Sequence, residues 1–306
     1  MVMNRAMMND NKNDNENNNK NNKNNNKNDN KNSNRNNKID NKIYFRKFLS
    51  YDDIRILLYR MGCDRIFSKQ KKIVIKPNLV SNLPYPVTTD ANVVEEFIKF
   101  IRDNSNAKII VAEGSGDDTE RNYRFLGYTK LKDYGIELVD LNYYDVEVIE
   151  DPNRKVLKKF HFPKILKDSF LISVANIKEH HTEAKVTLTL KNMFGTAPGK
   201  YYSHNIRGRP WSKEMFHDLG INDSIVDINV YKLPDMGFLD GRILQLDSEL
   251  GGRTKEHGYI YASFNPIALD YYCAKILTDE EIKYINDLAK IYEVNLDKII
   301  VHEVSE

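Results

Sequence analysis

Lys71-Lys72-Ile73-Val74-Ile75-Lys76 is an apolar run held between lysines and closed by Pro77. A continuous apolar run suits a strand buried on both faces, because neither face then meets water. Thr88, Thr89 and Asp90 follow, offering N-cap oxygens to a helix over Ala91 to Asp103 whose buried stripe is Val94, Phe97, Ile98 and Ile101. Lys108 to Ala112 is another short apolar strand. Strand, helix and strand over about 40 residues make a βαβ unit, with parallel strands and a right-handed crossover. The expectation is an α/β fold with a mostly parallel sheet built from βαβ units, as one body or as two lobes.

Outward from this unit, Ile54 to Met61 has helical apolar spacing and stops at Gly62. Further strands are expected at Ile136 to Asp140, Tyr144 to Glu150, Ser169 to Ala175, Ile225 to Tyr231 and Tyr259 to Phe264. Asn265 before Pro266 opens a helix to about Ile276. Thr278 with Glu281 has the spacing of a capping box for another helix. Lys185 to Lys191 stays open: Val186, Leu188 and Leu190 alternate as in a strand, while Thr182 and Gly195 suit the ends of a helix.

The first 40 residues hold 19 Asn and almost nothing to bury, so residues 1–42 are assigned to a disordered Asn/Lys-rich tail and 43–306 to the α/β domain. The chain carries 46 Lys+Arg and 44 Asp+Glu, of which the first 40 residues contribute 8 and 5, leaving 38 against 39. A neutral body lacks the basic footprint of a nucleic-acid binder. Cys63 and Cys273 are the only cysteines, which excludes an intrinsic iron–sulfur cluster, a cysteine zinc site and a disulfide framework. Lone thiols, no membrane-length apolar run and no apolar h-region at the start make cytoplasmic the expected location, with no membrane partner.

In an open parallel sheet, ligands bind beyond the carboxyl ends of the strands. Two such ends carry Lys76-Pro77-Asn78 and Glu113-Gly114-Ser115-Gly116. Lys76 brings a positive charge, Asn78 an amide, and the two glycines let backbone approach a ligand closely. Thr88 and Thr89, at a helix start, also favour an anion. In a blander reading Lys76 ends an edge strand in water and the glycines only form a turn. Gly114 to Gly116 is too incomplete for a dinucleotide fingerprint, and Gly195 to Tyr201 is too short for a phosphate loop.

Asn176 to Asn205 is the densest stretch in acid–base groups, including Lys178, His180, His181, Lys191, Asn192 and His204. If the chain stays extended past the strand, Lys178, His180 and Thr182 share a face and His181 points away. A lysine beside a histidine lowers the imidazole pKa and keeps a neutral base available. A divalent metal would need about three converging ligands, for which His180 and His204 with Asp227 or Glu113 are the candidates.

Lys76-Pro-Asn-Leu-Val80, Val111-Ala-Glu-Gly-Ser115, Ile177-Lys178-Glu-His180 and Leu190-Lys-Asn-Met-Phe-Gly195, in this order, resemble the domain of unknown function 362 family over about residues 70–270. The resemblance places the family's lysine–asparagine pair on Lys76 and Asn78, its Lys-x-His on Lys178 and His180, its Lys-Asn on Lys191 and Asn192, and its following histidine on His204. This chain departs by adding His181 and by reading Asp247 to Arg253 where the family is richer in glycine and proline. Some members are fused to iron–sulfur modules, which implies a separate iron–sulfur protein as a partner for this chain.

The resulting expectation is a cytoplasmic enzyme that binds a small anionic metabolite. Lys76, Asn78, Thr88, Thr89, Glu113, Gly114, Ser115, Gly116 and Asn192 would bind it, His180, Lys178 and Lys191 would carry acid–base chemistry, and His204 with Asp227 would hold a metal. The competing expectation is a non-catalytic accessory or electron-transfer partner of an iron–sulfur protein.

Overall fold

The computed structural model describes residues 41–204 and 211–305. Its strands are β1 (Lys42–Lys47), β2 (Lys72–Lys76), β3 (Lys108–Glu113), β4 (Glu137–Asp140), β5 (Val146–Glu150), β6 (Lys159–Pro163), β7 (Phe170–Glu179), β8 (Val186–Thr187), β9 (Met236–Gln245), β10 (Thr254–Ser263) and β11 (Ile300–Glu303). Nine of them form one sheet in the order β11-β1-β10-β9-β7-β2-β3-β4, with β8 attached to β7. The run from β9 through β7, β2 and β3 to β4 is parallel. The β9–β10 and β1–β10 pairs are antiparallel, and β5 and β6 form a separate hairpin. The fold is α/β with a mostly parallel, mixed sheet.

The βαβ unit forms because its strands bury both faces. Ile73 and Ile75 pack with Ile109 and Val111 under the helix Ala91–Asn104, while Val74, Ile110 and Ala112 join a second cluster on the opposite face. Asp90 caps that helix by accepting from Asn92 N at 2.9 Å. Thr88 and Thr89 hold the loop instead. Thr89 Oγ1 accepts from Asn78 N and donates to the Val174 carbonyl, and Thr88 Oγ1 donates to the Leu83 carbonyl. Asn265 caps the helix Pro266–Ala274 by accepting from Ile267 N and Ala268 N.

Several expectations are corrected. Ile225 to Tyr231 is not a strand but the end of the helix Ile221–Tyr231. Eight of its residues are buried, polar ones included, so the one-sided helical stripe is blurred. Thr278 and Glu281 make no capping box, because Thr278 Oγ1 accepts from Glu280 N and the next helix starts at Lys283. Lys185 to Lys191 contains both alternatives in succession, β8 and then the short helix Thr189–Asn192. β1, β6, β9 and β11 add strands not foreseen, and β1 starts at Lys42, inside the stretch assigned to the tail. The reading of residues 1–40 as disordered lies outside the described residues. No helix among the described residues is long and apolar enough to cross a membrane.

Candidate functional site

The carboxyl ends of β2, β3 and β7 and the short helix Thr189–Asn192 converge on a cleft of about 560 Å³. Lys76, at the end of β2, is buried, and its ammonium donates to Glu113 Oε1 at 2.7 Å, to Asn192 Oδ1 at 3.0 Å and to the Pro77 carbonyl at 3.0 Å. Burial pulls its pKa down and the Glu113 carboxylate opposes that pull. Glu113 is held in turn by the amides of Leu79 and Gly114, each at 2.8 Å. Asn192 Nδ2 donates to the Lys76 carbonyl and to Ser173 Oγ, so β2, β7 and the short helix share one hydrogen-bond network. Gly195 lies against this network, where any Cβ would fall on the Lys76–Glu113 pair.

Asn78 carries the network onward. Its Nδ2 donates to Asn192 Oδ1 at 3.2 Å, and its Oδ1 accepts from Lys178 Nζ at 2.9 Å. Lys178 is fully buried and also donates to the carbonyls of Val87 at 2.7 Å and Glu249 at 3.4 Å. Burial, and then the charge of Lys191, bring its pKa down to about 7. Lys191 lies partly open in the cleft with its ammonium over the Phe194 ring, 5.3 Å from the centroid, and burial lowers it to about 8. Lys213 donates to the Gly114 carbonyl, and burial draws its pKa to about 7. Among the described residues none of these three ammonium groups makes an ion pair with a carboxylate.

His180 is buried at the end of β7, and its Nδ1 accepts from Thr182 N at 3.2 Å and meets Thr182 Oγ1 at 2.7 Å. Burial, then Lys191, lower its pKa to about 2, so the ring is neutral. With Nδ1 accepting from a backbone amide, the ring proton sits on Nε2 and makes that atom a donor. His181 is exposed yet stacks on His180 at 5.1 Å, and its Nδ1 lies 2.7 Å from Glu249 Oε2.

The structure brings Lys76, Asn78, Glu113, Gly114, Ser115, Gly116, Lys178, His180, Lys191 and Asn192 to the cleft wall. Thr88 and Thr89 support it from behind, holding the Asn78 loop. His204 and Asp227 are placed elsewhere. His204 pairs with Asp218 at 2.5 Å on the surface, and Asp227 accepts from the amides of Lys155, Val156 and Leu157. Among the described residues, the group of three able to hold a metal is His180, His181 and Glu249, with ligand atoms within 4.8 Å of one another. The positive charges of Lys191 and Lys178, which act on His180, would also oppose a cation there.

Sequence reasoning missed Lys213, His217, Glu249 and Thr187 on the cleft wall, and Asp270 behind it. Asp270 accepts from Thr189 N at 3.1 Å, Thr189 Oγ1 at 2.5 Å and Leu190 N at 2.8 Å, which orients the helix that carries Lys191 and Asn192. Thr187 lies on β8, inside the stretch whose strand or helix character the sequence left open. No local motif marks Lys213, His217, Glu249 and Asp270, which arrive from loops and helices farther along the chain.

The family model described as "Domain of unknown function (DUF362)" matches residues 73–275. The chain belongs to this family. The residues matched to the DUF362 family contain the whole cleft wall, from Lys76 to Leu250. No curated protein matches the chain. Among solved structures, a crystal structure of a Thermotoga maritima protein from a structural genomics consortium is similar at 11% identity with a TM-score of 0.42. The match covers 80% of this chain and 59% of that one. A likeness of that size says nothing about function.

Proposed function

We propose that this protein is an enzyme that binds a small carboxylate-bearing anion in the cleft and moves a proton on it. The observation that carries the reading is the set of three lysines, Lys178, Lys191 and Lys213, that line one cleft and among the described residues make no ion pair with a carboxylate. Desolvated, unpaired ammonium groups are costly, and an anionic ligand is the partner that would offset that cost. The roles divide by hydrogen bonding. Lys178 is held by three oxygen acceptors, which fix the position of its amine beside the ligand. Lys191 has no hydrogen-bond acceptor among the described residues and, near pH 8, exchanges a proton readily, which suits an acid–base group. His180 Nε2–H suits hydrogen bonding to an oxygen on which charge develops. Two free, buried thiols, Cys63 and Cys273, favour a reducing cytoplasm for it.

A panel of short carboxylates and phosphorylated carboxylates, screened by thermal shift, should contain ligands that raise the melting temperature. Incubation of those ligands with the protein in D2O should then exchange carbon-bound hydrogen, read by NMR. Lys191→Met should slow exchange by about 10²–10⁴-fold. Binding without exchange or turnover in the native chain would reduce the protein to a binding module.

A further inference from the structure

The cleft has two ends and a neutral centre. At the first end, Lys213 donates to the Gly114 carbonyl, and Ser115 Oγ on the same turn is buried with no hydrogen-bond partner among the described residues. At the second end, Thr187 on β8 stands opposite Lys178 on β7 in the strand register, and its buried Oγ1 also has no partner. Buried hydroxyls are ordinarily hydrogen-bonded, so two orphans lining one cleft mark where ligand atoms belong. Between the ends, the Lys76–Glu113 ion pair cancels its own charge and Gly195 covers it.

Lys213 lines the first end together with Arg121 and Asp117, and Lys178 and Lys191 line the second together with Glu249. The charges acting on Lys213 are those of Glu113, Lys76 and Asp140, whereas Lys178 responds to Lys191, Glu249 and Glu113. Glu113 of the central pair acts on both ends, while neither Lys178 nor Lys191 is among the charges acting on Lys213.

We infer that the cleft takes a metabolite with two separate anionic groups. One group would sit on the Gly114–Gly116 turn with Lys213 and Ser115, the other on Lys178, Lys191 and Thr187, with an uncharged linker over the central pair. A volume of about 560 Å³ is within the range of small-molecule sites. The inference rests on the anion-binding reading above and adds the number and spacing of the anionic groups.

Bromide tests it without knowledge of the ligand. Crystals of the full chain are soaked in concentrated bromide near pH 6, below the values of about 7, 8 and 7 at Lys178, Lys191 and Lys213, and anomalous peaks are located. Two cleft peaks are expected, one within hydrogen-bond distance of Lys213 and Ser115, the other of Lys191 and Thr187. Lys213→Met should lose the first alone and Lys191→Met the second alone. A single peak, or a pair lost together in either variant, overturns the two-group inference and leaves the anion reading standing. No bromide in the cleft overturns both.

Discussion

Replacing Lys191 by methionine should make the protein more stable at neutral pH while removing its proton transfer. Burial lowers the Lys191 amine from 10.5 to about 8. That drop corresponds to about 3 kcal/mol of preference for the neutral form in the folded chain. At pH 7 the group is still mostly protonated in both states, so the folded protein bears most of this cost. Solvent in the cleft reduces it, and methionine forgoes the cation–π contact with Phe194, worth about 0.5–1 kcal/mol at such a site. A net gain of about 1–2 kcal/mol remains, or roughly 2–8 °C in melting temperature for a chain of this size. The sign with pH is definite. Between about 8 and 10.5 the unfolded chain binds a proton that the folded chain does not, so native stability rises with pH across that window. Methionine lacks this term, and its advantage over the native protein should shrink toward zero by pH 10.5. Urea denaturation of both proteins at pH 7, 8, 9 and 10 reads the difference directly. A variant less stable than native at pH 7, or one whose advantage does not change with pH, refutes the reasoning.

Three other perturbations address the frame of the site. Lys76→Met or Glu113→Gln alone should cost about 3–5 kcal/mol by leaving half of a buried pair, whereas the double variant should recover much of that loss in a double-mutant cycle. Gly195→Ala should destabilise the fold by about 1–3 kcal/mol or more, read from urea denaturation, because its methyl group has no room beside Lys76 and Glu113. Asp270 is pushed by burial from 3.8 to about 7 while it accepts from the Thr189 and Leu190 amides that open the Thr189–Asn192 helix. Its contribution to stability is therefore full below about pH 4 and lost as the pH rises to 7. Asp270→Asn should remove that slope from midpoints measured at pH 4.5 and 8.

How much of this was legible in the sequence depends on how local the cause is. β2, the helix Ala91–Asn104 and β3 were readable because each carries its own signal: apolar runs for strands buried on both faces, and a capped amphipathic stripe between them. β9 carries no such signal, since Gly237, Asp240, Gly241 and Arg242 break its apolar pattern. Gly237 is required only by the approach of Leu269 and Thr189, and Gly241 by Ile177 and the Tyr259 carbonyl, which are tertiary facts. The helix Ile221–Tyr231 fails for the opposite reason, because burial on nearly every side erases the period that identifies a surface helix. The same distinction runs through the site. Lys76, Asn78, Glu113, Lys178 and His180 sit at strand ends, where topology alone directs them to a ligand crevice. Lys213 and Glu249 reach it from loops whose paths no local pattern specifies.

The cluster of lysines makes sense only as a concession of stability to binding. A fold choosing residues for stability alone would place methionine or leucine at positions 178, 191 and 213, since each ammonium is drawn out of water and, among the described residues, none makes a direct ion pair, the carboxylates of Glu113, Glu249 and Asp140 offsetting the burial only in part. Elsewhere the chain does compensate. Arg46 is paired with Asp53, and Arg242 with Asp90 and Asp240. The difference between those paired cations and the ones in the cleft is the basis of the proposed binding role. A ligand that brought two anionic groups would supply partners to these lysines, so binding and folding should be strongly linked, and the lysines should cost the free protein most where they are fully charged.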